Sequence, residues 1–333
     1  MNPIGNCLTE EKVKEAMEHL SSVVHHTPLS ISTSVNKLAG MNIYFKMENQ
    51  QKTGAFKVRG ASFKIANLSN EQVKYGVITA SAGNHAQGVA LAAAKRGISA
   101  KIYVPEKTPD AKIQATRSYG ATIVLKGASF DEACEAALAE QQESKSTFVH
   151  PFDDYDVMAG QGTIAIEMLK QQPLLDTILV PVGGGGLISG IAVAAKMVNP
   201  KIKIIGVQAK GASAIYNQFH GYKLDTSKGV STIADGIAVK QPGKLTFPII
   251  KEFVDDIFTV SDTDIAAAMI FMLERKKTLI EGAGAAAFAA VLAHARHLRS
   301  AHCGVIVSGG NIDLSRMPQI QSLAGQNLLS CLA

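Results

Sequence analysis

Residues 177–198 read TILVPVGGGGLISGIAVAAKMV and decide the fold. The run Thr177–Val182 is apolar after its first residue and lacks the polar alternation of a half-exposed strand, so it predicts a strand buried on both faces. Leu187–Val198 follows a helical period. The glycines Gly183–Gly186 join the two elements directly. A buried strand that turns into a helix in this way is typical of parallel α/β sheets with helices on both faces.

The same alternation of strand and helix continues along most of the chain. Further strands are predicted at Asn42–Glu48, Gly76–Ala80, Ala100–Val104, Ala121–Leu125, Thr147–Val149, Lys203–Gln208, Asp256–Val260 and Gly304–Ser308. Helices are predicted after Thr9 up to Leu20, and at Phe63–Leu68, Asn84–Arg96, Pro109–Tyr119, Phe130–Gln142, Val157–Lys170, Thr263–Arg275 and Gly284–Leu298. The pattern predicts a two-lobed α/β protein with twisted parallel sheets. Residues 210–250 are turn-rich, and no element is predicted there.

Composition and charge exclude several classes of protein. The chain has 333 residues, 47% of them apolar, and a net charge of +5. Because the basic residues are scattered and Trp is absent, nucleic-acid binding is not expected. The apolar run Gly282–Ala295 is too short to span a membrane, and the N-terminus predicts a surface helix, not a signal peptide. The cysteines lack disulfide or metal spacing, so we expect free thiols in a reducing cytoplasm at Cys7, Cys134, Cys303 and Cys331.

The glycine run also predicts a ligand. Glycine lets the backbone approach a ligand closely, and a helix start offers unpaired N–H groups at the positive end of the helix dipole. We therefore interpret Gly183–Leu187 as a cradle for an anion, most commonly phosphate. The run lacks the Gly-Lys-Ser/Thr ending of a nucleotide-binding P-loop, and the next strand ends at Gln208, where a dinucleotide site has Asp or Glu. A tight turn without a ligand is the alternative.

Three other motifs lie at or near predicted strand ends. Lys57 lies between Phe56 and Val58, and desolvation there would lower its pKa toward neutrality, as a Schiff-base lysine requires; the alternative is a surface lysine with a buried stem. The loop Ser81–Gly88 offers groups that suit a carboxylate, although an ordinary helix cap would look similar. Ser308–Asp313 either forms a plain glycine turn or presents a hydroxyl at the end of a buried strand, where open sheets hold ligands.

In this combination and order, the motifs resemble the serine/threonine dehydratase family. These are pyridoxal-phosphate (PLP) enzymes with the tryptophan-synthase-β fold, also called fold type II. The resemblance extends from about residue 10 to residue 320, and it is closest to the short, catabolic threonine dehydratases. The segments that carry it are Thr53–Gly60, Ser81–His85, Gly183–Gly186 and Ser308–Asn311, and further matches are Asp153-Asp154, Ala159–Thr163, Ala234–Gly236 and Ile280–Gly284.

The resemblance implies a role for each matching residue. The residues implied to bind PLP are Phe56, Lys57, Asn84, Gly183, Gly184, Gly185, Gly186, Leu187, Gly236, Glu281 and Ser308. The residues implied to receive the substrate are Ser81, Ala82, Gly83, Asn84 and His85. Lys57 and Ser81 are the catalytic residues, with Lys57 as Schiff-base lysine and general base, and no metal ligand is predicted. A neutral hydroxyl at Ser308 leaves the pyridine ring a weaker electron sink than a carboxylate would, which favours β-elimination over transamination.

The implied reaction is β-elimination of L-threonine, and of L-serine, to 2-oxobutanoate or pyruvate plus ammonia. Serine racemase is an alternative, but the family's racemases carry a second serine where this chain has Ala82, and cation ligands where it has Gln208 and Ala214. A 3-hydroxyaspartate dehydratase also stays open, because the three substrates differ only at Cβ. A non-enzymatic sensor of a phosphorylated ligand would keep the glycine cradle but would not need Lys57.

The domain organisation is also predicted from the resemblance. A large PLP-binding domain would comprise residues 1–69 and 153–333, and a small domain residues 70–152, with no C-terminal regulatory domain. We expect a cytoplasmic homodimer or homotetramer that takes a small hydroxy-amino acid and contacts neither nucleic acid nor membrane.

Overall fold

The computed structural model describes residues 7–223 and 229–325. The strands of this part are β1 Leu29–Ile31, β2 Asn42–Met47, β3 Val77–Ala80, β4 Ala100–Val104, β5 Thr122–Leu125, β6 Thr147–Phe148, β7 Thr177–Pro181, β8 Lys203–Ala209, β9 Asp256–Val260 and β10 His302–Val307. The α-helices are α1 Glu10–Leu20, α2 Thr33–Ala39, α3 Lys57–Ala66, α4 Asn70–Tyr75, α5 Asn84–Arg96, α6 Asp110–Arg117, α7 Phe130–Ser144, α8 Tyr155–Gln171, α9 Gly186–Val198, α10 Ala214–Phe219, α11 Thr246–Phe253, α12 Asp262–Lys276, α13 Gly282–Leu298 and α14 Met317–Ala324.

The strands form two separate sheets. The large sheet has the order β1-β2-β10-β7-β8-β9, in which β1 is antiparallel to β2 and the other pairs are parallel. The small sheet has the order β5-β4-β3-β6 and is parallel throughout. The predicted fold class is therefore confirmed. The strands of the small sheet fall within the predicted small domain, but the domain boundaries themselves stay a prediction.

Helices cover both faces of the large sheet, which explains the apolar run of β7. Ile178 and Val180 belong to a hydrophobic cluster with residues of α8 and α9, whereas Leu179 belongs to a second cluster with residues of α12 and α13. All three side chains are fully buried. Successive strand residues point to opposite sides of a sheet. A polar residue at any of these positions would therefore lose its hydration on whichever side it faced.

Several element predictions were incomplete or wrong. The strand β1 was missed, because three residues are too short to show a period. The helix predicted at Phe63–Leu68 is α3, and it begins at Lys57. Residues 210–250 contain α10 and the beginning of α11. Among the described residues, no helix has both the length and the apolar character to cross a membrane. Cys331 lies outside the described residues.

The early start of α3 is explained by a buried ion cluster, formed by Lys46, Glu48, Arg59 and Glu167. Arg59 donates from Nε to Glu48 at 2.8 Å and from Nη1 to Glu167 at 2.6 Å. Lys46 donates to the second oxygen of Glu167 at 2.6 Å. Lys46, Glu48 and Arg59 have no exposed surface. The cluster joins β2 and α8 to the first turn of α3, and it therefore fixes the helix that carries Lys57.

Candidate active site

A cavity of about 1040 Å³ lies at the carboxyl ends of strands from both sheets. Its wall includes Ser81 after β3, Gly183 after β7 and Ser308 after β10. Every residue of the predicted site lines this cavity. The tertiary structure thus brings together the four motifs, which are spread over more than two hundred residues of sequence. This is the expected position of a ligand site in parallel α/β sheets.

Lys57 is the first residue of α3, and its amine lies inside the protein. Nζ donates a hydrogen bond to the carbonyl oxygen of Pro151 at 2.6 Å and lies 5.3 Å from the centre of the Phe56 ring. Burial lowers the pKa of Lys57 to about 8, and the nearby Glu281 carboxylate opposes this shift only partly. The surface-lysine alternative is therefore wrong. An amine with this pKa is available as a nucleophile and as a base near neutral pH.

The glycine loop leads directly into the first turn of α9. The backbone at Gly185 has a φ of 101°, in the left-handed region that side-chain-bearing residues rarely adopt. The first N–H groups of α9 have no carbonyl one turn before them, and the first turn holds no acidic residue. Thr246 Oγ1 donates to the carbonyl oxygen of Gly184 at 2.7 Å and holds the loop in place. The loop can therefore bind a phosphate through its backbone.

The loop before α5 is a second group of backbone donors. The helix begins at Asn84, after Gly83, whose own N–H donates to Ser81 Oγ at 3.3 Å. Because Ser81 Oγ accepts this bond, its hydroxyl hydrogen is left to donate to a ligand. The free N–H groups of the first helical turn and this hydroxyl together suit a carboxylate.

His85 takes part in this loop only through its backbone. Its imidazole is 3% exposed, and Nε2 donates to the carbonyl oxygen of Val149 at 2.9 Å. Burial lowers the pKa of His85 to about 3, so the ring is neutral. Its other nitrogen, Nδ1, then carries a lone pair, which repels a carboxylate. The expectation that His85 receives the substrate carboxylate stays a prediction, and these contacts leave its backbone N–H group as the donor for it.

Asn84 and Glu281 meet across the cavity. Asn84 Nδ2 donates to Glu281 Oε1 at 2.8 Å. Burial raises the pKa of Glu281 to about 7, although the bond from Asn84 opposes this. Ser308 is 3% exposed, and its carbonyl oxygen accepts the N–H of Phe56 at 3.1 Å. This bond ties the residue before Lys57 to the end of β10.

Several residues that shape the site were not assigned a role from the sequence. The carboxylate of Asp153 accepts the N–H groups of Lys244, Leu245 and Thr246, and so anchors the segment that holds the glycine loop. Pro151 supplies the carbonyl that accepts from Lys57. Asp153 belongs to a segment that resembles the family pattern, but no local signal in the sequence shows which loop it binds.

Comparison with known proteins identifies the family. Residues 20–309 match the model of the family described as pyridoxal-phosphate dependent enzyme. The chain belongs to this family of PLP-dependent enzymes. It is 48% identical over 313 residues to an L-threonine ammonia-lyase of Thermotoga maritima, covering 94% of this chain and 78% of that protein. It is 46% identical over 310 residues to a catabolic L-threonine dehydratase of Staphylococcus aureus, covering 92% and 89%.

A solved structure confirms the fold type of this PLP-dependent enzyme. Maize serine racemase superposes with a TM-score of 0.89 at 39% sequence identity, covering 97% of this chain and 98% of that chain. The recognition of the serine/threonine dehydratase family from the four motifs is confirmed by these matches.

The cavity residues fit the chemistry of PLP. An aldehyde needs an unprotonated amine, and Lys57 has a lowered pKa. A phosphate needs backbone donors at a helix start, which the loop Gly183–Leu187 provides. A pyridine nitrogen needs a polar partner, and Ser308 lines the same cavity.

Gln208 occupies a position where the family's racemases are expected to have a cation ligand, and here its side chain makes structural hydrogen bonds. Gln208 is fully buried, its amide nitrogen donates to the carbonyl of Val182, and its oxygen accepts from the N–H of Tyr216. Gln208 therefore joins the ends of β7 and β8 to α10. Among the described residues, no group of three or more His, Cys, Asp and Glu side chains could hold a metal ion.

Proposed function

We propose that the protein is a threonine ammonia-lyase, which converts L-threonine, and also L-serine, to the 2-oxo acid and ammonia. The observation that carries the proposal is the Lys57 amine, buried in the cavity wall with a pKa of about 8. The similarity to proteins named L-threonine ammonia-lyase and catabolic L-threonine dehydratase supports it.

Lys57 is the proposed general base. When bound, PLP supplies the electron sink that makes the Cα–H bond of an amino acid acidic. The Lys57 amine would take the Cα proton, and its lowered pKa lets it exchange protons near neutral pH. Pro151 O accepts a hydrogen bond from this amine and so gives it a defined position.

The loop Ser81–His85 is proposed to hold the substrate. Backbone N–H groups at the start of α5 would bind the carboxylate, and Ser81 would donate its hydroxyl hydrogen to a substrate oxygen. Two fixed contacts of this kind orient Cα and lower the entropic cost of proton transfer. Ala82 and Gly83 contribute no polar side-chain atoms, so their proposed contribution is the shape of the loop.

The cofactor contacts are proposed from the same geometry. The backbone of Gly183, Gly184, Gly185, Gly186 and Leu187 would bind the phosphate. Phe56, Gly236 and Glu281 would line the ring, Asn84 would bond its 3-hydroxyl, and Ser308 would face the pyridine nitrogen. Each of these residues lines the cavity.

Racemisation is the second candidate, because a serine racemase shares the fold at a TM-score of 0.89. A racemase needs a proton donor on each face of the substrate carbanion, and Lys57 serves one face. The methyl group of Ala82 cannot serve the other. Elimination is therefore favoured. Incubation with L-serine and chiral analysis of the products tests this choice, and D-serine as the main product would reverse it.

The decisive test of the proposal is a Lys57→Ala variant. The purified wild type should take up PLP with an absorbance band in the visible range, and borohydride should then fix the cofactor on a peptide containing Lys57. The variant should lose more than 99% of threonine turnover, since a lysine that acts as nucleophile and general base contributes several orders of magnitude to the reaction rate. A protein that binds no PLP would instead support the phosphorylated-ligand sensor. Kinetics with threonine, serine and 3-hydroxyaspartate identify the preferred substrate.

We also propose that the enzyme is a cytoplasmic homodimer or homotetramer. Cys134 and Cys303 are free thiols, as expected in a reducing compartment. Light scattering coupled to size-exclusion chromatography measures the oligomeric state, and a monomer at micromolar concentration would contradict that part of the proposal.

A further inference from the structure

A row of amide hydrogen bonds runs along the cavity wall, and one of its members, Asn311, has no role in the proposed chemistry. Asn311 Nδ2 donates to the carbonyl oxygen of Thr53 at 2.7 Å. The same nitrogen donates to Asn84 Oδ1 at 2.8 Å. Asn84 Nδ2 in turn donates to Glu281 Oε1 at 2.8 Å. The row therefore joins a backbone carbonyl before α3 to an amide at the start of α5.

The carbonyl of Thr53 decides which way both amides face. The oxygen and nitrogen of an asparagine side chain are nearly equal in shape, so neighbouring donors and acceptors decide the orientation. A carbonyl oxygen only accepts, so the atom of Asn311 that faces Thr53 must be its nitrogen. That nitrogen also faces Asn84, whose nearest atom must then be its oxygen. The amide nitrogen of Asn84 is thereby turned to the other side, toward Glu281.

This orientation leaves a donor for a ligand. The nitrogen of Asn84 carries two hydrogens, and the bond to Glu281 uses one of them. Glu281 by itself does not fix the orientation of the Asn84 amide, because burial raises the pKa of Glu281 to about 7. A protonated carboxyl can donate as well as accept, and it would then tolerate either orientation of Asn84. The carbonyl of Thr53 does not titrate.

Backbone strain at Thr53 is a second, independent observation. Thr53 has a φ of 65°, which is unfavourable for a β-branched residue, and the next residue, Gly54, has a φ of 70°. A Cβ atom at Gly54 would lie 2.6 Å from Asn311 Oδ1. The carbonyl of Gly54 accepts from the N–H of Gly310 at 2.9 Å. The strained turn therefore places the backbone in close contact with the Asn311 side chain. Strained backbone conformations of this kind persist only where surrounding contacts stabilise them, and they occur often at functional sites.

We propose that Asn311 is a positioning residue. Its amide nitrogen, held by the Thr53 carbonyl, binds the side-chain oxygen of Asn84, and this keeps the side-chain nitrogen of Asn84 available to the cofactor. The inference rests on the proposed role of Asn84 in the PLP site. Asn311 itself need not contact the cofactor.

The test uses Asn311→Asp, which keeps the shape of the side chain and removes its donors. The carboxylate would repel Thr53 O and Asn84 Oδ1, and the Asn84 amide would turn round to donate to it. The dissociation constant for PLP, measured by absorbance titration of the cofactor-free protein without substrate, should rise about tenfold, as expected for one lost hydrogen bond. The matched control is Asn49→Asp, since Asn49 donates to Leu279 O beside Gly310 and has no bond to Asn84. Its dissociation constant should stay within about twofold of wild type, which is below the change for one hydrogen bond.

A double-mutant cycle separates positioning from general structural damage. In an Asn84→Ala background, Asn311→Asp should change the dissociation constant by less than about twofold, because coupled residues are non-additive. An equal loss in both backgrounds, or no loss in wild type, would overturn the role of Asn311. If the aspartate variant does not fold, Asn311→Ala is carried through the same cycle; because it releases the Asn84 amide without reversing it, a smaller rise of about two- to fivefold is expected with Asn84 present and no change in the Asn84→Ala background. A wild type that takes up no PLP would refute the proposed function and this inference together, whereas normal uptake with additive losses refutes only the inference.

Discussion

Removal of Arg59 from the buried ion cluster is expected to cost a large part of the stability of the protein. Arg59→Met removes both hydrogen bonds to Glu48, at 2.8 Å each, and both to Glu167, at 2.6 and 3.0 Å. Lys46 still pairs with Glu167 in the variant. Glu48 keeps only the hydrogen bond from the Thr27 hydroxyl, so its charge is left buried without a hydrogen-bonded cation.

The expected loss is about 3–5 kcal/mol, the usual cost of breaking a buried ion pair from one side. Folded proteins are stable by about 5–15 kcal/mol, so this is a substantial fraction. A second substitution, Glu48→Gln, removes the orphaned charge. The double variant Arg59→Met/Glu48→Gln retains the balanced pair of Lys46 and Glu167 and should recover about 2 kcal/mol or more, since a hydrogen-bonded neutral amide costs far less to bury.

The assay is urea unfolding of the cofactor-free protein, followed by circular dichroism at one protein concentration. Arg316→Met is the matched control, because Arg316 pairs with Asp235 at 2.8 Å on the surface, where an ion pair contributes about 0–1 kcal/mol. An Arg59→Met variant that loses no more than the Arg316 control, or a double variant less stable than the single one, would refute this account of the cluster.

Three further predictions concern the site. Gly185→Ala should raise the dissociation constant for PLP about tenfold or more, because a Cβ there would lie 2.8 Å from Thr246 and the residue has positive φ. The control is Gly40→Ala, since Gly40 also has positive φ but a Cβ there would have no atom within 4 Å. This variant should leave PLP binding unchanged in the same titration. The rate at which PLP colours the cofactor-free protein should rise with pH around a midpoint near 8, since the unprotonated Lys57 amine reacts and burial lowers its pKa to about 8 from 10.5; a stopped-flow midpoint near 10.5 would contradict the burial of this amine. Ala82→Ser should increase D-serine formation from L-serine at least about tenfold on chiral chromatography, because a positioned hydroxyl acts as a general acid; an unchanged D-serine yield would remove Ala82 as the reason that elimination is favoured.

The sequence predicted most reliably those features that depend only on residues close together in the chain. The glycine loop lies between a strand and a helix in consecutive residues, so its position and its anion-binding character follow from neighbours in the chain. The early start of α3 could not be predicted in this way. Arg59 and Gly60 interrupt the apolar period, and the helix there is stabilised by Glu48, which directly follows β2, and by Glu167 from α8.

The orientation of the His85 side chain also could not be predicted from the sequence. The loop around it was placed correctly, but the direction of the imidazole depends on the carbonyl of Val149, which is 64 residues away in sequence. No periodicity or motif spacing reports such a contact.

The sequence by itself determined the alternation of strands and helices and the position of the glycine loop between a strand and a helix, because each depends on residue type and on spacing within a few turns of chain. The tertiary structure alone decided that the Lys57 amine is buried and has a pKa of about 8. It also decided that Arg59 is paired on both sides, and that Asn311 meets Thr53 from 258 residues away. Burial, pairing and amide orientation are properties of the packed chain, since they depend on which distant groups have replaced water around a side chain.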